Sequence, residues 1–270
     1  MKQQKVIVFL PAHNEELSVG EVIRAVPRHF MPGIRVEVLV INDGSTDRTE
    51  EAAREAGADH ILSFPANRGL GNAVRTGMRE ALRLGADIGV MIDADNEYPA
   101  GQIPDLLKPI LDGTADYVFG SRFKGQIHGM KLHRRLGNYA FTLLQCLLLR
   151  RWIRDGQSGM RAFSRQALQH GEIRHDYNYA QVLTLNLVRK GFRLAEVPIR
   201  YRVRTKGQSF IKFRAYFKAV LPAMIREMRQ PAHKVRIDKQ AHVMDREIIR
   251  PEDGLKGLGD SDREIPEVAL

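Results

Sequence analysis

The segment Ile88-Gly-Val-Met-Ile-Asp93-Ala-Asp95 decides the fold class of this 270-residue chain. Its apolar run is typical of a buried strand, and Asn96-Glu97-Tyr98-Pro99 ends that strand at once. Two carboxylates one residue apart then lie at the carboxyl end of an inner strand, where open α/β sheets bind ligands. Such a pair can hold a divalent cation, which in turn can hold a diphosphate. The motif alone is equally compatible with a plain turn, because Asp and Asn commonly end strands.

The first 120 residues alternate strand and helix signals on both sides of that segment. Short apolar runs predict further strands at Val6–Leu10, Val36–Ile41, His60–Phe64 and Tyr117–Phe119. Helical spacing of apolar residues predicts helices over 17–26, 46–56, 67–84 and 102–111. Strands separated by single helices indicate an α/β fold: a Rossmann-like, mainly parallel sheet with helices on both faces. The first strand is not followed by G-x-G-x-x-G, so the usual dinucleotide fingerprint is absent.

The pattern changes beyond residue 120. Leu136–Leu149 is strongly apolar between arginine pairs, and Leu194–Tyr201 predicts another strand. Over 210–229, apolar residues recur at steps of three and four, with basic residues elsewhere on the helix. We expect 210–235 to be an amphipathic helix at a membrane interface, whereas 136–149 fits a buried core helix as well as an interfacial one. The charged residues 236–270 have the composition of a mobile tail.

The net charge of +10 is unevenly placed. Residues 122–154 contain eight Lys or Arg and no acid, and residues 200–236 contain eleven with one acid. A basic half that wide suggests polyanionic partners, namely phosphates, nucleic acid or an anionic bilayer. The single cysteine, Cys146, excludes an internal disulfide framework and fits a reducing compartment. The apolar run Val6–Leu10 is too short for a signal peptide, and no stretch is long enough for a membrane span, so we expect a cytoplasmic protein.

Seven short motifs each follow a predicted element. They are Pro11-Ala-His-Asn-Glu15, Asp43-Gly-Ser-Thr-Asp47, Asn67-Arg-Gly-Leu-Gly71, Asp93-Ala-Asp95, Gly120-Ser-Arg122, Asp155-Gly-Gln-Ser-Gly-Met-Arg161 and Arg204-Thr-Lys-Gly-Gln-Ser209. In this order, over residues 5 to 215, the chain resembles the family 2 glycosyltransferases of the GT-A fold. Within that family it looks most like the dolichol-phosphate mannose synthase and polyprenyl-phosphate glycosyltransferase branch. The resemblance implies a GT-A domain over 1–209, with a nucleotide-sugar half, 1–120, and an acceptor half, 121–209.

The resemblance implies that the donor is bound at the ends of the first strands. The residues implied for the nucleotide-diphosphate sugar are Pro11, Ala12, Asn14, Glu15, Asp43, Ser45, Arg68, Gly69, Asp93, Ala94 and Asp95. It also implies a Mg²⁺ or Mn²⁺ ion held by Asp93, Asp95 and Glu97, although close relatives often have Gln at the third position. The residues themselves leave local alternatives open: Asn14 or Glu15 could cap a helix, and Asp43-Gly44 could be a plain turn.

The resemblance assigns the acceptor to the second half of the domain. Asp155 can act there as a general base on an acceptor hydroxyl, orient an acceptor or a nearby Arg, or simply cap a loop. The catalytic residues implied are Asp155, Arg122 and Arg204. The residues implied for an acceptor phosphate are Arg122, Arg134, Arg135, Arg204, Lys206 and Ser209, since arginine forks suit phosphate oxygens.

The sequence therefore predicts an inverting, metal-dependent glycosyltransferase. It would move a sugar from a UDP- or GDP-sugar to a polyprenyl or dolichyl phosphate, as a peripheral protein on the inner face of the cytoplasmic membrane. Many such relatives carry C-terminal transmembrane helices and this chain does not, so a soluble metabolite or glycan hydroxyl, with Asp155 as base, stays open. A nucleic-acid-binding protein using the basic half is a remote alternative, because no recognised nucleic-acid motif is present. A nucleotidyltransferase would show a glycine-rich loop near the first strand, which is missing.

Overall fold

A single mixed sheet carries the strands of this protein. The computed structural model describes residues 3–176, 179–204 and 213–237, with side chains from residue 219 onward in the last range. Seven strands lie in these ranges: β1 (Gln4–Ala12), β2 (Ile34–Asn42), β3 (His60–Ser63), β4 (Ile88–Ile92), β5 (Tyr117–His128), β6 (Met160–Ser164) and β7 (Leu194–Arg202). Their spatial order is β3-β2-β1-β4-β6-β5-β7.

Helices cover both faces of the sheet. In the described ranges they are α1 (Val19–Ala25), α2 (Thr49–Glu55), α3 (Leu70–Arg83), α4 (Ile103–Leu111), α5 (Leu132–Leu149), α6 (Arg165–His170), α7 (Ala180–Arg189) and α8 (Phe213–Arg229). Strands β1 to β4 are mutually parallel, β7 is parallel to β5, and β6 is antiparallel to both β4 and β5. The expected mainly parallel α/β sheet is confirmed.

Strands β1 and β4 occupy the centre of the sheet because their residues suit burial on both faces. Val8 and Val90 pair across the two strands, and each is fully buried. On the other face, Phe9 lies under α3 at Gly77, where an added Cβ atom would come within 2.4 Å of the Phe9 ring. Helix α3 can therefore approach the sheet this closely only with glycine at that position. The two layers of apolar side chains form the core.

The largest difference from the sequence prediction is β6, which was not expected as a strand. It inserts between β4 and β5 and contains a fully buried charged residue, Arg161. Strand β5 is also longer than the predicted Tyr117–Phe119, and α6 and α7 were not predicted. Polar or charged residues within these segments interrupt the apolar periodicity on which the prediction depends.

Helix α8 lies within the segment expected to be an interfacial helix, 210–235, and part of its apolar face is buried. The apolar residues Val220 and Met224 are buried with Phe141 of α5 and Leu185 of α7, so this part of the apolar face lies inside the domain. Beyond the helix, the backbone N–H of Val235 donates to the Lys190 carbonyl over 2.9 Å, which ties the segment to α7. Most of the expected tail, 236–270, lies outside the described residues.

Candidate active site

Four loops converge at one edge of the sheet. Strands β1, β2 and β4 are parallel, so the segments after Ala12, Asn42 and Ile92 leave from the same edge. Strand β6 runs in the opposite direction, with Met160 paired to Ile92, and the loop before it therefore arrives at that edge as well. The chain order also reverses between β1 and β4, which is where open α/β sheets bind ligands.

The loops after β1 and β2 are bound to each other through Asn14. Its backbone N–H donates to Ser45 Oγ over 3.0 Å, and its Oδ1 atom accepts from the Thr46 N–H over 2.8 Å. Asn14 has φ of 55°, a left-handed conformation that asparagine tolerates better than most residues. Asn14 and Ser45, both expected at the nucleotide, thus hold the shape of the loop that carries Glu15.

Asp43 is buried and organises the third loop. Its two carboxylate oxygens accept the backbone N–H groups of Arg68 and Gly69 over 2.7 and 2.9 Å. The Arg68 side chain is exposed and lies over the Phe64 ring, 4.8 Å from its centroid. The donor residues expected from sequence are therefore brought to one place, with Pro11 and Ala12 buried at the end of β1. In this conformation, both carboxylate oxygens of Asp43 accept backbone N–H groups.

Arg204 lies among carboxylates from two of these loops. Its Nη2 atom is 3.0 Å from Asp95 Oδ2, its Nη1 atom is 3.1 Å from Glu15 Oε1, and its Nε atom is 3.7 Å from Glu97 Oε1. Asp95, Glu97, Tyr201 and Arg204 line a cavity of about 940 Å³. The charge of Asp93 also acts on Arg204, which leaves excess negative charge that Arg204 and, at Asp93, Arg161 offset only in part.

Burial and this excess charge raise the pKa values of the DxD carboxyls. Burial, then the charges of Asp95 and Glu97, raises the pKa of Asp93 well above its usual value. Burial and the Glu97 charge raise the pKa of Asp95 to about 7, against the opposing effect of Arg204. Asp93 also packs closely on Gly159, where an added Cβ atom would lie 1.7 Å from Asp93 Oδ2. Raised carboxyl pKa values in a cleft indicate a place that a cation would stabilise.

Glu97 is turned toward β7. Its Oε2 atom accepts the Tyr201 hydroxyl over 2.6 Å, and its Oε1 atom accepts the Arg204 backbone N–H over 3.3 Å. Accordingly, no group of three His, Cys, Asp or Glu side chains in the described ranges is placed to hold a metal ion. The expected set of Asp93, Asp95 and Glu97 is thus not assembled in this conformation. The oxygen donors nevertheless suit Mg²⁺ or Mn²⁺, which commonly take one or two protein carboxylates and complete their shell with substrate phosphates and water.

Arg122 and Asp155 form a closed ion pair. Asp155 Oδ2 accepts from the backbone N–H and Nε of Arg122 over 2.9 and 2.7 Å, and Oδ1 accepts from Nη2 over 2.8 Å. The Asp155 side chain is 0% exposed and that of Arg122 is 6% exposed. Burial acts to lower the pKa of Arg122, but the Asp155 charge beside it raises that pKa well above its usual value. Arg122 was expected to bind an acceptor phosphate, but here its Nε and Nη2 atoms donate to Asp155.

Arg161 ends the motif that begins at Asp155, but the sequence alone assigned it no role. Its guanidinium is buried between the sheet and α7, donating to the Ser158 and Gly156 carbonyls over 2.8 and 3.1 Å and also to the Tyr117 hydroxyl. These hydrogen bonds therefore hold the loop that carries Asp155. Tyr201 was missed as well, although the alternation of Arg200-Tyr-Arg202 on a predicted strand was a signal that it points inward.

Four further residues were expected at an acceptor phosphate, and the structure describes two of them. Arg134 and Arg135 lie in the first turn of α5, where Arg135 donates to the Tyr139 hydroxyl over 3.4 Å. Burial and the Glu97 charge raise the pKa of Tyr201, and the charge of Arg134 opposes that rise. Lys206 and Ser209 lie outside the described residues.

The chain is similar to known proteins in sequence and in structure. The family model described as glycosyl transferase family 2 matches residues 7–171. Dolichyl-phosphate hexose transferase of Haloferax volcanii is 34% identical, over 82% of this chain and 94% of its own length. Undecaprenyl-phosphate mannosyltransferase of Micrococcus luteus is 30% identical, over 76% of this chain and 86% of its own length.

A solved structure shares the fold. Glucosyl-3-phosphoglycerate synthase from Mycobacterium tuberculosis, in complex with Mn²⁺, UDP and glucosyl-3-phosphoglycerate, superposes with a TM-score of 0.66 at 25% identity, covering 84% of this chain and 81% of that one. The GT-A fold expected from the motifs is confirmed. With the family model matching more than half of its length, the chain belongs to glycosyl transferase family 2 and is a glycosyltransferase.

Proposed function

We propose that this glycosyltransferase moves a sugar from a nucleotide diphosphate to a polyprenyl phosphate, with inversion at the anomeric carbon and with Mg²⁺ or Mn²⁺ as cofactor. The observation that carries the choice of acceptor is the closed pair of Arg122 and Asp155. The named relatives act on dolichyl or undecaprenyl phosphate, which supports the same class of acceptor here.

The closed pair argues against a hydroxyl acceptor. A hydroxyl must lose its proton as it attacks, so it needs a general base within hydrogen-bond reach. Asp155 is the residue expected for that role, but it is fully buried and accepts three hydrogen bonds from Arg122. A phosphate monoester is already anionic at neutral pH and needs no such base. A site whose acidic residue is neutralised by arginine therefore suits a phosphate acceptor.

The acidic cluster supports a cation-bound diphosphate on the donor side. Asp93 and Asp95 would hold the ion, and a bound ion would neutralise charge on the departing diphosphate. Glu97 could join them only by leaving Tyr201 and Arg204. Arg204 contacts the same carboxylates and has the fork geometry for phosphate oxygens once those contacts are exchanged. The loop held by Asp43 presents the exposed Arg68 beside this space.

The reaction is a single displacement. An oxygen of the acceptor phosphate forms a bond to the anomeric carbon as the bond from that carbon to the diphosphate oxygen breaks. Attack from the face opposite the leaving group inverts the configuration. The chain's contribution is to hold the two anionic groups apart and in line, which Arg204 on one side and the basic first turn of α5 on the other can do. Since the acceptor is a membrane lipid, we place the enzyme at the cytoplasmic face of the membrane as a peripheral protein.

A donor screen followed by acceptor competition tests this function. Thermal unfolding with UDP- and GDP-sugars, each with and without Mn²⁺, identifies the donor, because a ligand that binds only the folded protein raises its Tm. The labelled donor is then offered a short polyprenyl phosphate, the matching polyprenol and phosphoglyceric acid. We expect transfer to the polyprenyl phosphate, and an NMR coupling constant of the product that shows inversion. Transfer to the polyprenol or to phosphoglyceric acid, with none to the phosphate lipid, would overturn the proposal.

A further inference from the structure

We propose that α5 docks on an anionic lipid bilayer through one apolar face, which we call the α5 stripe: Leu132, Leu136, Tyr139, Leu143 and Leu147. The choice of a bilayer rests on the proposed lipid acceptor. It deepens that proposal by identifying the surface of the enzyme that meets the membrane.

The α5 stripe is a continuous apolar surface. Its members follow at steps of four, three, four and four residues, which keeps them on one side of a helix with 3.6 residues per turn. Their exposed fractions, in chain order, are 71, 59, 42, 52 and 68%. Trp152, 73% exposed, extends the surface just beyond the end of the helix. Leucine and tryptophan are usually well buried, so a run of this kind over roughly 22 Å of helix marks an interaction surface.

The opposite side of α5 fixes the helix in the domain. Phe141, Gln145 and Cys146 are buried, and Gly156 donates its N–H to Thr142 Oγ1 over 3.3 Å. Rotating the helix to hide the α5 stripe would expose this side and leave its polar groups without partners. Water exclusion from the stripe therefore has to come from something that binds it.

Positive charge surrounds the stripe. Residues 122–154 contain eight Lys or Arg and no acid, and several of these cations are exposed at the two ends of α5. Lys131 and Arg135 lie at its start, and Arg150 and Arg154 lie at and beyond its end. An apolar face between two clusters of cations is the pattern of a helix lying in the plane of an anionic membrane, where leucines enter the acyl boundary and cations meet headgroups.

The charge pattern distinguishes a bilayer from a protein partner. A protein that covered the stripe would need an acidic rim complementary to cations at both ends, whereas anionic headgroups provide negative charge on every side. Spanning the bilayer is not an alternative for the helices in the described ranges, since none is long and apolar enough to do so. Docking in the membrane plane is therefore the membrane contact that we propose for α5.

The stripe is connected to the active site through the loop before β6. That loop contacts α5 at Thr142, through Gly156, and three residues later the Gly159 carbonyl accepts the backbone N–H of Asp93 over 3.2 Å. A bilayer bound at the stripe would thus lie on the α5 side of the catalytic cluster.

Vesicle co-sedimentation of the full chain tests the docking surface. The probes are vesicles of phosphatidylglycerol with phosphatidylcholine, and vesicles of phosphatidylcholine alone. The test variant combines Leu136→Gln, Leu143→Gln and Leu147→Gln, all at exposed positions where folding should be retained. The matched control combines Leu17→Gln and Ile225→Gln, which are 59 and 42% exposed and lie off the stripe. We expect wild type and control to bind the anionic vesicles, more weakly at high salt, and the test variant to bind at least about tenfold more weakly.

Three results would overturn the docking surface. The first is equal binding of the test variant and wild type to anionic vesicles, and the second is no binding by either. The third is a dimer of the wild type that the test variant dissociates, which would assign the stripe to a second copy of this chain. Transfer to a short, water-soluble polyprenyl phosphate without vesicles is measured in parallel. Loss of vesicle binding with retained transfer supports both proposals, whereas stripe-dependent vesicle binding without any transfer preserves the docking surface and overturns the acceptor.

Discussion

Two arginine–carboxylate assemblies meet at this site, and they differ in how well their charges balance. Arg122 and Asp155 form a one-to-one pair, with three hydrogen bonds and almost no exposure. Arg204 instead faces Glu15, Asp95 and Glu97, with single contacts of 3.0 to 3.7 Å, at the wall of an open cavity.

The balanced pair has little left to bind. Each polar atom of Asp155 already has a partner, and separating two buried charges is expensive, so this pair positions the backbone of its loop. The unbalanced cluster has more carboxylates than cations and raised carboxyl pKa values, so a divalent ion or a rearranged arginine can lower its free energy. We therefore expect the unbalanced cluster to take part in the reaction and the balanced pair to support it.

The largest expected effect follows from Asp95→Asn in the unbalanced cluster. The substitution keeps the shape of the side chain and removes the charge that would hold the ion, so we expect transfer to fall by roughly a thousandfold. The rise in Tm produced by Mn²⁺ with the nucleotide sugar should also be lost. Rates with saturating donor and acceptor, together with thermal unfolding, measure both effects.

Asp112→Asn is the control for that substitution, because Asp112 is an exposed aspartate at the end of α4. It should leave both the rate and the metal-dependent Tm unchanged. Full transfer by Asp95→Asn would remove the metal from the proposed mechanism and with it the contrast between the two assemblies.

The second effect is on stability and tests the balanced pair. Asp155→Ala leaves the Arg122 guanidinium buried without its carboxylate, which should cost about 3–5 kcal/mol of unfolding free energy. Replacing both members, with Arg122→Met and Asp155→Leu, should recover much of that loss, since an apolar pair needs no partner. Urea unfolding gives the values.

Glu50→Ala is the comparison for an exposed pair. Glu50 and Arg54 have side-chain exposures of 38 and 62%, so this substitution should cost no more than about 1 kcal/mol. If Asp155→Asn instead left stability unchanged and reduced transfer a hundredfold or more, Asp155 would be a general base and the acceptor a hydroxyl.

The sequence was sufficient for most of the fold and for placing the predicted donor residues at one edge of the sheet. Val6–Leu10 and Ile88–Ile92 are continuous apolar runs with carboxylates past their ends, and local patterns of that kind specify parallel strands and their loops. The strand β6 could not be found in this way. Its fully buried Arg161 is stabilised by the Tyr117 hydroxyl and by backbone carbonyls from distant segments, and those contacts exist only in the folded protein.

The acceptor half shows the same limit. Asp155 and Arg122 are separated by 33 residues, so sequence could name both as functional but could not show that they neutralise each other. Similarly, the apolar pattern of 210–229 does not show whether this helix or α5 has the more exposed apolar face. Val220 and Met224 of α8 are buried against α5 and α7, whereas Leu132, Leu136, Leu143 and Leu147 of α5 are exposed.

The third effect is a pH dependence that only the unbalanced cluster should show. Because the pKa of Asp95 is raised from 3.8 to about 7, the folded metal-free protein retains a proton there that the unfolded chain has released. Stability without metal should therefore fall as the pH rises through this window. Mn²⁺ competes with that proton, so its apparent affinity should weaken by up to about tenfold for each pH unit below 7.

Thermal unfolding across the window, with and without Mn²⁺, measures this dependence. Asp95→Asn should flatten the part of it that comes from Asp95, whereas Asp112→Asn should leave it intact. A Mn²⁺ effect that stays constant from about pH 5 to pH 8 would show that proton release from Asp95 is not coupled to metal binding.

The smallest effect concerns Glu97, whose role depends on whether it leaves Tyr201. Glu97→Gln keeps an oxygen that can accept the Tyr201 hydroxyl and removes one negative charge next to Asp95. If Glu97 acts through its charge, Mn²⁺ affinity should fall only a few-fold, and the pH window of Asp95 should move downward because one cause of its raised pKa is gone. Isothermal titration at two pH values measures both.

If Glu97 is instead a direct ligand, the loss of Mn²⁺ affinity should exceed about a hundredfold. Tyr201→Phe, which frees the Glu97 carboxylate, should then strengthen Mn²⁺ binding. The contacts of Glu97 with Tyr201 and Arg204 favour the few-fold outcome, which would make Glu97 a link between the excess charge of the cluster and β7.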